Sequence, residues 1–341
     1  MLAHSERDLP EIPVVDLGAG FALALLEAER RRAEALLAGA RARYPAFAVG
    51  LGDRFSRRWL EKHANPYLDE VHAVARSLGV PGAYFLNVNH EWGCTSAVGP
   101  APDGGGNRLI RVLDWRFDGL GANLVAARIA GPAGPWINLT WPGFVGCVQG
   151  LAPGRFAAAF HQAPMRRRTP VMPLDWALNR GRVWRAAGLP PAHLLRRAFE
   201  TCADYRSAKA LLVETPLAVP TIFLLSGPGP GQGCVIERLE RQAFVRAQPA
   251  AAANHWTAPG FGGGAPRGQE SHARQELMTA RQADAGADFA WLQAPVLNPT
   301  TRLVMIAEPA TGRLVARGYE AGGPATRTLA VSGSKAPQRS A

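Results

Sequence analysis

The stretch Asn89-His-Glu-Trp-Gly-Cys-Thr-Ser-Ala-Val98 lies where the composition of this 341-residue chain changes. Before it, apolar side chains recur at spacings of three and four, which is typical of amphipathic helices. After it, short apolar runs are separated by turns that contain glycine and proline, which is typical of antiparallel strands. The sequence therefore predicts a mostly helical segment up to about residue 90 and a strand-rich segment beyond it.

Blocks of helices and strands continue to alternate along the chain. Strands are expected within 94–160, 221–246 and 302–317, and helices at about 21–43, 54–79, 173–180, 191–200, 206–214, 269–281 and 289–293. Segregated blocks of this kind predict an α+β fold in which antiparallel sheets are covered by helices. Residues 321–341 are rich in Gly, Pro, Ser and Thr, and they are predicted to form a disordered tail.

The overall composition is that of a globular protein, with 47% hydrophobic and 19% charged residues. No apolar run reaches the roughly 18 residues that a transmembrane helix needs. The N-terminus lacks the basic and then apolar pattern of a signal peptide. We therefore expect a cytoplasmic location and no stable insertion into a membrane.

The four cysteines, at positions 94, 147, 202 and 234, form no CxxC pair. This spacing argues against a disulfide framework and against a zinc site, and we expect neither a metal nor another cofactor. The net charge of +11 invites a nucleic-acid partner. However, many arginines lie on amphipathic helices, and no basic stripe is interleaved with aromatic residues. A solvated arginine-rich surface without a nucleic-acid partner is the better interpretation.

Several short motifs follow one another in a defined order around Cys94. They are Phe85-Leu-Asn-Val-Asn89, Gly93-Cys-Thr-Ser96, Arg111-x-x-Asp114, Gly143-Phe-Val-Gly146, Asn254-His-Trp256, Arg274 and Asn298-x-x-Thr301. In this order the motifs resemble those of the acid ceramidase and N-acylethanolamine acid amidase group of N-terminal-nucleophile hydrolases. Penicillin acyltransferase-like and choloylglycine hydrolase-like enzymes are relatives of that group. The resemblance extends from about residue 12 to about residue 318.

This resemblance implies a proenzyme with a four-layer αββα fold, in which two antiparallel sheets lie between layers of helices. The chain would cleave its own Gly93–Cys94 bond into an α-chain, 1–93, and a β-chain, 94–341, which remain partners. The catalytic core would occupy 94–320, and Cys94 would become the N-terminal nucleophile. Gly93 can adopt backbone angles that other residues avoid, so we expect a strained scissile bond.

The chemistry of an N-terminal cysteine suits this role. Its α-amine has a reference pKa of roughly 8 and its thiol roughly 8.5, so the amine can accept the thiol proton near neutral pH. The resemblance implies that Asp114 orients the amine. Arg111 would contact the carboxylate or the substrate carbonyl. The two lie on opposite faces of a regular strand, so a turn or bulge is expected between them.

The resemblance also suggests the remaining site residues. Asn254 is expected to donate to the oxyanion and Arg274 to supply a supporting charge. Trp141 and Phe144 are candidates for an apolar acyl pocket, and Gln162 for a hydrogen bond to the substrate. The implied reaction is hydrolysis of a small linear N-acyl amide through a Cys94 thioester.

Two departures from the family pattern weaken a substrate assignment. Val112 stands where relatives usually have Asn, and His161-Gln162 stands where the lipid-amide hydrolases have an acidic residue. An acyltransferase of the penicillin acyltransferase type shares the same acyl-enzyme and stays open. So does an unprocessed binding protein without catalytic activity, in which Cys94 is a small buried apolar residue, Asp114 belongs to a turn and Asn254 caps another.

Overall fold

The computed structural model describes residues 6–88, 92–164, 166–262, 264 and 267–332, so the first three residues of the motif around Cys94, at 89–91, lie outside it. A 3-10 turn spans Glu6–Asp8. The α-helices are α1 (Phe21–Ala28), α2 (Arg30–Arg43), α3 (Ala46–Lys62), α4 (Leu68–Leu78), α5 (Ala83–Val88), α6 (Met172–Arg185), α7 (Pro191–Thr201), α8 (Tyr205–Glu214) and α9 (Ser271–Arg281). The strands are β1 (Val14–Asp16), β2 (Trp92–Pro100), β3 (Asn107–Trp115), β4 (Val125–Gly131), β5 (Gly134–Thr140), β6 (Gln149–Ala152), β7 (Phe156–Gln162), β8 (Thr221–Ser226), β9 (Gly233–Arg238), β10 (Ala243–Ala247), β11 (Ala250–Ala252), β12 (Thr301–Glu308), β13 (Arg313–Glu320), β14 (Gly323–Pro324) and β15 (Leu329–Ser332).

The strands form two sheets. The larger sheet has eight strands in the order β1-β4-β5-β6-β7-β8-β9-β10. The smaller follows the order β11-β2-β3-β12-β13-β14, with β15 also paired to β13. The pairing is antiparallel except between β1 and β4, which run parallel. The expectation of purely antiparallel sheets is therefore wrong at that edge, because the whole α1–β3 segment connects β1 to β4.

Helices cover the outer face of each sheet. On the larger sheet, the rings of Phe21 from α1 and Phe199 from α7 pack against Trp136 of β5. On the smaller sheet, Met278 of α9 joins a buried cluster with Ala97 and Ile110. The inner faces of the two sheets share one apolar core. The predicted four-layer αββα arrangement is thus confirmed. Among the described residues, no helix is long and apolar enough to cross a membrane.

Two local predictions are corrected. The expected helix at 289–293 is a series of turns, because Phe289 has a φ of +60°, which a right-handed helix excludes. The expected disordered tail is wrong at Gly323–Pro324 and Leu329–Ser332, because β14 and β15 both pair with β13. The rest of that prediction, at 333–341, lies outside the described residues. Val331 of β15 is buried, so the edge of the smaller sheet gains both backbone partners and apolar contacts.

The smaller sheet has two buried faces because it lies between the larger sheet and α9. Side chains alternate along β2 between these two faces. Cys94 and Val98 contribute to the core between the sheets, whereas Ala97 belongs to the cluster under α9. This alternation decides which site residues reach the thiol and which reach the backbone next to it.

Candidate active site

The pairing of β2 with β3 places three predicted site residues around Cys94. Gly93 pairs with Asp114, Cys94 with Leu113 and Ser96 with Arg111, in one unbroken antiparallel register. Directly paired residues project to the same face of a sheet. Arg111 therefore lies on the face of the Cys94 thiol, and Asp114 lies on the opposite face with Gly93.

The prediction of a turn or bulge between Arg111 and Asp114 is wrong, because β3 pairs with β2 without interruption there. The irregularity lies instead in β12, between Thr301 and Leu303, opposite Asp114. A regular β3 still brings Arg111 and Asp114 to the site, because the site includes residues on both faces of the sheet at β2.

The backbone of Cys94 is held at both ends. Its N–H donates to Asn254 Oδ1 over 2.6 Å, and its carbonyl oxygen accepts from Arg274 Nη1 over 2.7 Å. Asn254 Nδ2 donates to the carbonyl oxygen of Gln162 over 2.8 Å, which fixes the orientation of the amide. The atom that would become the α-amine is thus bound by the residue predicted to serve the oxyanion.

Arg274 connects the elements of the site and is almost fully buried. Besides Cys94, it donates to Thr95 Oγ1 over 2.8 Å and to Asn254 Oδ1 over 3.2 Å. Its Nη1 also lies 3.5 Å from Asp114 Oδ2. The sequence suggested only a supporting charge, because its position on a helix gave no sign of how many partners it would reach.

Asp114 lies against Gly93 rather than against the Cys94 nitrogen. A Cβ built at Gly93 would stand 3.4 Å from Asp114 Cβ and 3.5 Å from Oδ2. Thr301 Oγ1 donates to Asp114 Oδ1 over 2.8 Å. Burial raises the pKa of this carboxyl group, and Arg274 opposes the shift. In the intact chain the Cys94 N–H is therefore bound by Asn254, where Asp114 was expected.

The backbone of Gly93 is an ordinary extended strand. Its φ lies outside the left-handed region, and an added Cβ would meet only ordinary contacts. The expectation of strain from a glycine-specific conformation is wrong, because strand pairing on β3 imposes regular geometry on this residue.

The Cys94 thiol is fully buried between the sheets. Burial raises its pKa to about 11, Arg111 lowers it, and Asp114 raises it further. Arg111 is itself fully buried and interacts with the Cys94 thiol through its charge and a side-chain hydrogen bond. Its guanidinium has no other hydrogen-bond partner among the described residues. Its charge is therefore available to a thiolate or to another developing anion nearby.

Sequence reasoning did not assign roles to several polar residues of the site. Ser271 Oγ accepts from the N–H of Asn254 over 2.9 Å and lies 2.8 Å from His255 Nδ1. Burial lowers the pKa of His255 to about 4, and His272 lowers it further. No local motif marks Ser271 as special, since a serine at the start of a helix is common.

An apolar cavity of about 290 Å³ adjoins the strand of Cys94. Trp141 and Phe144, the predicted pocket residues, both line it, and so does Trp92. The Gln162 side chain is not part of this lining, because its Oε1 accepts from the N–H of Trp92 over 3.1 Å. A second cleft, of about 420 Å³, is lined largely by charged residues and contains none of the predicted site residues.

Comparisons with known proteins find relatives that match part of this chain. No protein-family model matches the chain. It is 29% identical to acid ceramidase of Homo sapiens over 106 residues, which are 31% of this chain and 25% of that protein. It is 25% identical to acid ceramidase of Rattus norvegicus over 200 residues, which are 52% of this chain and 49% of that protein. The matched region thus spans between a quarter and a half of the length of these relatives.

A solved structure shows the same fold. It is the Caenorhabditis elegans orthologue of N-acylethanolamine-hydrolyzing acid amidase, which aligns with a TM-score of 0.51 and 17% identity. The alignment covers 70% of this chain and the whole of that one. The chain is thus similar in part of its sequence to acid ceramidases, and it shares its fold with this orthologue of an acid amidase.

Proposed function

We propose that the chain is a proenzyme that cleaves its Gly93–Cys94 bond and then hydrolyses a linear N-acyl amide through a Cys94 thioester. The observation that carries this proposal is the 2.6 Å hydrogen bond from the Cys94 nitrogen to Asn254 Oδ1. That nitrogen is the leaving atom of self-cleavage and the α-amine of the mature enzyme. A side-chain acceptor placed on it serves both steps.

In self-cleavage, Cys94 Sγ attacks the carbonyl carbon of Gly93. The Gly93–Cys94 C–N bond breaks, the nitrogen takes the thiol proton, and a thioester joins Gly93 to the sulfur. Water then hydrolyses the thioester, which releases a Gly93 carboxylate and a free Cys94. Asp114, which Thr301 fixes by a hydrogen bond, is paired with Gly93 across the two strands, and Arg274 holds the Cys94 carbonyl.

In turnover, the free α-amine accepts the thiol proton, and the thiolate attacks the carbonyl carbon of the substrate amide. The amine then protonates the departing amine, and water hydrolyses the acyl thioester. Among the described residues Asn254 Nδ2 donates one hydrogen, to the carbonyl oxygen of Gln162, so its second hydrogen can bind the oxyanion. Losing one such donor typically costs ~3 kcal/mol of transition-state stabilisation.

The apolar cavity supports an acyl substrate with a substantial hydrocarbon part. It is lined by aromatic and aliphatic side chains, including Trp115, Trp141 and Phe144. Trp92, which lies on the same strand as Cys94, is also part of the lining. The names of the relatives, acid ceramidase and N-acylethanolamine-hydrolyzing acid amidase, point to N-acyl amides as the substrate class.

The proposal is tested by incubating the purified chain from mildly acid to neutral pH. Mass spectrometry and N-terminal sequencing should detect a fragment that begins at Cys94, and C94A should show neither cleavage nor turnover. Turnover is followed with N-acylethanolamines, ceramides, penicillin V and acyl amino acids, and a competing amine distinguishes hydrolysis from acyl transfer. A 36.4 kDa chain that stays intact and inactive would instead indicate a binding protein.

The cavity residues give a sharper test of the acyl group. W141A and F144A each remove apolar surface from the cavity, so KM for a long-chain amide should rise ~10-fold, whereas KM for a short-chain amide should hardly change. Equal effects on both substrates would place the acyl chain elsewhere.

A further inference from the structure

A buried histidine links the two sheets next to the strand of the nucleophile. His161 lies on β7 of the larger sheet and is fully buried. Its Nε2 is 2.7 Å from Ser96 Oγ, and its Nδ1 is 2.9 Å from the carbonyl oxygen of Ala253. Ser96 shares the inward face of β2 with Cys94, and Ala253 directly precedes Asn254.

The partners of His161 decide its tautomer. A backbone carbonyl only accepts hydrogen bonds, so Nδ1 carries a hydrogen. Burial lowers the pKa of His161 well below the usual value, and the facing cations Arg111 on β3 and Arg274 on α9 add to the effect. The ring is therefore neutral, and its Nε2 accepts from the hydroxyl group of Ser96.

We propose that His161 is a positioning residue whose two ring nitrogens tie Ser96 of β2 and the Ala253–Asn254 segment together around Cys94. The inference rests on the proposed function. The backbone of this segment is bound on one side by Ser271, through the Asn254 N–H, and on the other by His161, through the Ala253 carbonyl. Between these two bonds, Asn254 presents Oδ1 to the Cys94 nitrogen.

Three variants separate the two hydrogen bonds of His161. H161F removes both, and a small displacement of Asn254 is enough to lower self-cleavage and kcat by ~10- to 100-fold. H161N retains a donor near the position of Nδ1 and should recover much of that loss, while S96A removes only the other bond. KM should stay within ~3-fold in all three, because His161 lies outside the apolar lining of the cavity.

H193F is the matched control, because His193 is also fully buried but packs against Tyr67 on the outer side of the larger sheet. It should lower the free energy of unfolding without lowering kcat. If H161F likewise lowers the free energy of unfolding but leaves kcat unchanged, His161 does not position the site. If H161F does not fold, S96A decides, because it removes the hydrogen bond between Ser96 Oγ and His161 Nε2. Self-cleavage and kcat should fall in S96A, and wild-type values there would contradict the proposal.

A spectroscopic measurement distinguishes failure of this inference from failure of the proposed function. Imidazole ¹⁵N shifts of the histidine-labelled wild-type chain should show His161 as the neutral Nδ1–H tautomer from pH 5 to 8, whether or not the chain is active. The Nε2–H tautomer, or titration near pH 6.5, would overturn the inference alone. An inactive wild-type chain that never cleaves would overturn the proposed function, and the catalytic part of the inference with it.

Discussion

Arg274 shows how one side chain can organise a site that spans several elements. Its guanidinium joins the carbonyl of Cys94, the hydroxyl of Thr95 and the amide of Asn254. It also opposes the rise in the pKa of the buried carboxyl of Asp114. A planar group with five donors can satisfy such divergent partners, whereas a lysine ammonium is a single point charge.

At the residue scale, R274K should therefore be far from conservative. It keeps the charge but loses the simultaneous hydrogen bonds, and we expect self-cleavage and kcat to fall ~100-fold. R281K, on an exposed position of the same helix, is the control and should match wild type. Fragment formation over time and single-turnover rates measure the effect; wild-type rates in R274K would show that the charge alone suffices.

Gly93 gives a second residue-scale prediction. Because its backbone is extended and an added Cβ makes ordinary contacts with Asp114, G93A should cleave itself within ~3-fold of the wild-type rate. The appearance of the fragment that begins at Cys94 is followed by mass spectrometry. Complete loss of cleavage would mean that glycine is needed for a conformation that occurs only during the reaction.

At the scale of elements, the site depends on how the segment before α9 approaches β2. Gly268 has a φ of +72°, and a Cβ there would lie 2.9 Å from Arg274 Nη2 and 3.4 Å from Gly93 Cα. The close approach of these two backbones brings Arg274 to the carbonyl of Cys94. A side chain at 268 would separate the two elements.

We therefore expect G268A to slow self-cleavage by more than ~10-fold. G260A is the matched control: Gly260 has a φ of +79° but open space around an added Cβ, so it shares the backbone strain without the clash. Both variants should lose free energy of unfolding through the backbone strain, and G268A should lose more because of its clash. Equal cleavage rates in the two would show that the strain of a positive φ, not the approach to Gly93, limits the reaction.

At the scale of the whole molecule, the buried thiols make the fold sensitive to alkali. The pKa values of all four cysteines, Cys94, Cys147, Cys202 and Cys234, are raised, in each case chiefly by burial. The folded chain thus retains protons that the unfolded chain loses from about pH 8.5 upwards. Each such group contributes stability that is fully present below its unfolded pKa and is lost as the pH rises towards its folded pKa.

The free energy of unfolding should therefore fall between about pH 8.5 and 11, by up to ~1.4 kcal/mol per pH unit for each fully buried thiol. Urea denaturation under reducing conditions across this range measures the slope. C147A removes one fully buried thiol and should make the slope shallower. If the free energy of unfolding stayed constant up to pH 11, the buried thiols would not make the fold sensitive to alkali.

The sequence by itself determined the α+β class and most elements, because helix and strand periodicities report directly which faces are buried. The four-layer order was implied by the resemblance to a known family. It also marked Cys94, Arg111, Asp114, Asn254 and Arg274 as a set, since short motifs keep their order along the chain. Only the tertiary structure decided which face of β2 each residue reaches, that Asn254 binds the Cys94 nitrogen, and that His161 bridges the sheets. Register and packing between residues as far apart as 94 and 254 arise from the whole core, and no local pattern encodes them.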